Sequence, residues 1–97
     1  MKRRINMSLF AVLLPAETPK LIAAIKEKFP DHYEITSTQW MISTKGTAKQ
    51  ISDTLGVSGK EPPTGDAIIL TIAGYWGRAE PNLWEWMKVK MEEGADG

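Results

Sequence analysis

The chain contains no cysteine. Disulfides, thiolate metal ligands and thiol nucleophiles are excluded together, and the absence suits a reducing compartment, so a cytoplasmic location is expected. Histidine is scarce as well. His32 stands alone, and one imidazole per copy supplies neither a histidine pair for a metal nor a triad histidine with one to spare. A net charge is also missing, with twelve basic residues against twelve acidic ones. The whole molecule therefore exerts no strong pull on nucleic acid, and any such binding must come from a local patch. Nor is any apolar run long enough to span a bilayer, so no membrane contact is expected. The run over 9–14 follows Met1-Lys2-Arg3-Arg4 in the manner of a short signal peptide. Pro15, Glu17 and Pro19 stand where a small-residue cleavage site belongs, so the run reads as a buried strand instead.

What is present describes one domain over 1–97, opened by a basic arm over 1–6 that reads as flexible. A chain this short buries a modest core, and pairing with a second copy would help. The run over 9–14 is apolar at every position, the pattern of a central strand with both faces covered. Thr18 can cap a helix with Pro19 at its first position; Leu21, Ile22, Ile25 and Phe29 share one face, and Pro30 ends it. Aromatic and β-branched residues over 33–36 and 39–43 flank the polar Ser37-Thr38, which predicts two antiparallel strands joined by a tight turn. Thr47 and Gln50 form a capping-box pair ahead of Ile51 and Leu55, and Gly56 ends that second helix. An exposed loop over 58–65 leads to a strand over 67–73, and a third helix is predicted over 81–93 with Gly94 as its stop.

Strand, helix, strand, strand, helix, strand is the split βαβ order of an α+β, ferredoxin-like βαββαβ domain. It implies an antiparallel sheet with two helices on one face, here followed by an additional C-terminal helix. The second face needs cover, from that helix or from a second copy.

The segment Ser37-Thr38-Gln39-Trp40-Met41-Ile42-Ser43-Thr44, with Thr47-Ala48 and Ile51-Ser52-Asp53-Thr54-Leu55 after it, resembles the SinR-like proteins. These are small ferredoxin-fold proteins grouped with the CRISPR adaptation nuclease and the VapD-type ribonucleases. Trp84-Glu85-Trp86-Met87-Lys88 is similar to the C-terminal helix of that subgroup. The resemblance implies a homodimer. In the nuclease members an aspartate closes the first strand, and its copies in two subunits hold a divalent metal for phosphodiester cleavage. Here that place is Val12-Leu13-Leu14-Pro15, with no acid until Glu17. A hard cation needs oxygen ligands, which an apolar strand end lacks, so a related nuclease would have to use Glu17 or Asp66.

Chemistry-bearing patterns are otherwise few. Asp53, Asp66, Glu17 and Glu34 form no metal-ligand spacing, and Gly56-Val57-Ser58-Gly59-Lys60 lacks the spacing of a phosphate loop. His32 reads as a loop histidine titrating in solvent, with a general base as the functional alternative. The expectation is therefore no catalytic residue, no metal and no cofactor.

The tail over 74–87 holds three of the four tryptophans, which points to a core anchor, a partner surface, or both. At about 100° per residue, Leu83, Trp84, Met87 and Met91 form the core stripe of the last helix, while Trp86 and Val89 fall off it. Trp86, Val89, Trp76 and Tyr75 are accordingly the expected interface residues. Arg78 suits an anion or a stacked base, with Arg3, Arg4, Lys45 and Lys49 as further nucleic-acid contacts; pairing with Glu80 or Glu85 is its structural alternative. The leading expectation is a cytoplasmic homodimeric interaction protein with a protein partner. A metal-dependent nuclease and a non-catalytic nucleic-acid binder are the alternatives.

Overall fold

The computed structural model describes the backbone of residues 7–95 and the side chains of residues 7–92. The flexible arm expected over 1–6, with Arg3 and Arg4, lies outside the described residues. Along the chain come β1 (Ser8–Leu13), α1 (Pro19–Lys28), β2 (His32–Thr36), β3 (Gln39–Thr44), α2 (Ala48–Leu55), β4 (Ile68–Thr71) and α3 (Pro81–Ala95). The class is α+β, a four-stranded antiparallel sheet with three helices.

β1 can be apolar from Leu9 to Leu13 because it is central, in a sheet of order β2-β3-β1-β4. It runs antiparallel to β3, from Ser8 opposite Thr44 to Leu13 opposite Gln39, and antiparallel to β4, from Phe10 opposite Thr71 to Leu13 opposite Ile68. β2 in turn pairs antiparallel with β3. Hence β1 and β2 are parallel with β3 between them, and β3 and β4 are parallel with β1 between them.

Side-chain alternation divides the core in two. Phe10, Val12, Trp40 and Ile42 point to one face, where Leu21, Ile25 and Phe29 of the α1 region meet Ile51 and Leu55 of α2. Trp40 is buried with its Nε1–H donating to the Ser37 carbonyl at 3.0 Å, so its one polar atom is satisfied. Leu9 and Met41 point to the opposite face, where α3 brings Leu83 and Met87.

Local chemistry explains most element ends. Thr47 closes a full capping box: its Oγ1 accepts from the Gln50 N–H at 3.2 Å, and Gln50 Oε1 accepts from the Thr47 N–H at 2.9 Å. Gly56 ends α2 in the left-handed region, φ 82°, where a Cβ would also collide with Thr64 Oγ1. Thr18 stands at the start of α1, but its hydroxyl donates to the Ala16 carbonyl at 3.0 Å instead of capping. Its carbonyl takes up the Leu21 and Ile22 N–H groups.

Two boundaries differ from expectation, and one turn is irregular. β4 is shorter than 67–73, although the Ile72 N–H still reaches the Leu9 carbonyl at 2.9 Å. The β2–β3 turn carries a bulge between Glu34 and Thr36, consistent with a turn that lacks Asn-Gly. α3 continues through Gly94 to Ala95, since a glycine without a left-handed turn lowers helix propensity but need not end a helix.

Candidate interaction surface

α3 packs over β1 and β2 rather than over β4. It is fastened there by apolar and polar contacts. Leu83 and Met87 are buried against Leu9 and Met41, while Trp84, Trp86 and Met91 pack beside them, partly buried. The Tyr33 hydroxyl on β2 donates to Glu80 Oε1 at 2.7 Å, just before the helix, and Lys90 Nζ lies 3.4 Å from Asp31 Oδ1 further along it. The bond to Glu80 holds the Tyr33 phenol above its ordinary pKa, with desolvation and the Glu80 charge acting in the same direction.

Because α3 sits to one side, the far half of its face is only partly covered. Leu13 and Ile68 are cross-strand neighbours, as are Ala11 and Leu70, and alternation puts all four on the same face as Leu9 and Met41. Ile68 is 60% exposed, Leu70 45% and Leu13 36%. β4 is also the last strand of the sheet, so the outer side of its backbone is unpaired among the described residues.

Two hollows border this half-face. One is an apolar hollow of about 250 Å³ lined by Leu13, Leu14, Pro15, Asp66, Ala67 and Ile68, at the end of the sheet where β1 leaves and β4 enters. The other is a cleft of about 240 Å³ lined by Tyr75, Trp76, Gly77 and Trp84, in the connection from β4 to α3. Tyr75 and Trp84 stack there, centroids 5.3 Å apart and planes 19° apart. Trp76 stands out at 98% exposure.

No family model, curated protein or solved structure matches the chain. Function must therefore be read from the surface itself.

The four expected interface residues differ in exposure. Trp76, Tyr75 and Val89 are exposed, whereas Trp86 is half-buried, its ring tilted against Tyr33 with centroids 5.8 Å apart. A helix lying flat on a sheet buries a wider arc than the narrow stripe that periodicity marks, so Trp86 spends part of its surface on β2.

Of the described basic candidates, Lys45 and Arg78 lie on connections that leave the same end of the sheet, after β3 and after β4. Lys49 is paired with Asp53 at 2.9 Å. Arg78 makes neither of the ion pairs with Glu80 or Glu85 that its spacing suggested; it is exposed and pairs with no described residue.

His32 and Asp53 are engaged structurally. His32 is not a solvated loop residue: it opens β2, partly buried, with Nδ1 2.6 Å from the Phe29 carbonyl and its ring against Trp40. With Nδ1–H as donor to that carbonyl, the ring is held in place by the end of α1. Asp53 accepts from Lys49 and, at 2.5 Å, from the Ser58 hydroxyl, which also meets Ser52 Oγ at 2.8 Å. These bonds close the loop after α2 and hold the Asp53 pKa below its usual value, the Lys49 bond contributing most. Glu17 and Asp66 are both exposed at the end of the sheet where β1 leaves and β4 enters. Among the described residues, no three His, Asp or Glu side chains come together as a metal site, and no helix is long and apolar enough to cross a membrane.

Proposed function

We propose that this chain is a small cytoplasmic interaction protein of ferredoxin-like form that works as a homodimer and has no catalytic site of its own. The ferredoxin-like reading is supported by the order β2-β3-β1-β4, in which two split βαβ units interleave, with α1 and α2 contributing to one core. The observation that carries the interaction reading is the exposed belt of Leu13, Ile68 and Leu70 beside an unpaired strand edge. Covering each of these half-exposed side chains contributes about 1 kcal/mol, and a second copy is the partner always present at matching concentration. The lack of a catalytic site is supported by His32, the general-base candidate, being held by the Phe29 carbonyl and packed against Trp40.

Sedimentation at micromolar concentration tests this reading. The wild type should sediment as a dimer, and Leu70→Asp should shift it toward monomer without loss of helical signal. A wild-type monomer would end the homodimer reading. A labelled RNA and DNA panel with magnesium or manganese tests the other half. Metal-dependent cleavage abolished by Glu17→Ala with Asp66→Ala would replace it with a nuclease.

Non-catalytic nucleic-acid binding has one observation in its favour, the shared end of the sheet from which the Lys45 and Arg78 connections leave. Such binding should weaken steeply with added salt, and salt-independent binding would contradict it.

A further inference from the structure

Resting on the homodimer reading, we infer how the two copies join: Trp76 of each copy inserts into the apolar hollow of the other, beside β4 strands that pair edge to edge. The sizes are compatible. Trp76 is a large apolar side chain left 98% exposed, and the hollow between Leu13 and Ile68 offers about 250 Å³. An apolar cavity of about 150 Å³ already holds a benzene ring, so an indole is a reasonable occupant. The polar features match as well. Asp66 lines the hollow and can accept the indole N–H, the only polar atom of that side chain.

Charge is complementary in the same sense. Asp66 and Arg78 are both exposed and neither has an ion-pair partner among the described residues. One lines the hollow and the other follows Trp76 by two positions, so insertion brings the two opposite charges together.

Topology makes the exchange reciprocal. β4 is the outermost strand, with the hollow where the chain enters it and Trp76 five positions after its last residue, Thr71, in the connection to α3. Two copies of β4 pairing antiparallel about a two-fold axis place the exit of each beside the entrance of the other. Both indoles then meet both hollows, and the assembly closes at two copies instead of growing into a fibre. Each indole brings about 150–250 Å². Counting the walls they cover, two insertions bury roughly 600–1,000 Å², and the β4 edge with Ile68 and Leu70 carries the total to the roughly 1,200 Å² or more of a stable interface.

The test uses sedimentation and the absence of native cysteine. Wild type should be dimeric, and Trp76→Ala should weaken self-association at least tenfold with an unchanged circular dichroism spectrum, because the side chain touches little of its own fold. Asp66→Cys and Arg78→Cys variants, mixed and oxidised, should form a disulfide-linked pair that neither forms alone. A wild-type dimer that survives Trp76→Ala, or that gives no more cross-link in the mixture than in either variant alone, would overturn the insertion and leave the homodimer standing. A wild-type monomer would remove both.

Discussion

The two faces of the sheet are built from the same strands and end up covered to different degrees. On the face of α1 and α2, Phe10, Val12, Trp40 and Ile42 are at most 1% exposed. On the face of α3, Leu9 and Met41 are buried while Leu70 and Ile68 remain 45% and 60% exposed. The cause is geometric. A helix about 10 Å across covers roughly two strands spaced about 4.8 Å apart, so two helices roof four strands and one helix roofs half of them. The first face is a core, and the second is part core and part surface available to a partner.

Several measurements would break or sharpen that contrast. The largest effect is expected on the roofed face, where Trp40→Ala removes a fully buried indole and its bond to Ser37. It should destabilise the fold by about 3–5 kcal/mol in urea unfolding. Met87→Ala removes an anchor of α3 and should cost about 2 kcal/mol, less because the vacated space lies near solvent and can be refilled. If Met87→Ala proves the more damaging, the two faces are equally cooperative and the contrast fails.

Ser43→Ala probes the α3 face further. Ser43 is buried there with a hydroxyl that has no protein partner, so its removal should be neutral or stabilising by up to about 1 kcal/mol in the same assay. A clear loss would mean the hydroxyl is satisfied in solution.

The smallest effect concerns the tether between β2 and α3. Tyr33 has its pKa raised chiefly by the bond to Glu80, so its contribution to stability is present below the ordinary phenol value of about 10 and is lost as pH rises through the higher folded value. Phenolate absorbance should show Tyr33 titrating late, and Glu80→Gln should bring it back toward the ordinary range. A midpoint that ignores Glu80→Gln would remove the tether from the account.

Much of the scaffold was legible from residue patterns alone. The apolar run of β1, the capping box of Thr47 and Gln50, and the left-handed Gly56 act over a few neighbouring residues, and each stands where periodicity and capping chemistry put it. The interaction surface was legible only in part. Trp76 could be nominated for its chemistry, but Leu13, Ile68 and Leu70 looked like ordinary strand residues, since an apolar strand reads the same whether both faces are roofed or one is bare. The contacts of His32 and Trp86 were not legible for a related reason: they come from the end of α1 and from β2, which local spacing does not reveal.

Local chain chemistry therefore settled the kinds of element, their approximate ends and the α+β class, because turns, caps and alternation depend on contacts a few residues apart. Tertiary structure decided which half of the sheet α3 covers, that Tyr33 meets Glu80 across 47 positions, and that Leu13, Leu14 and Pro15 meet Asp66, Ala67 and Ile68 around one hollow while Trp76 stays bare. Those are relations between distant segments, and they arise only when packing has chosen where each helix lies.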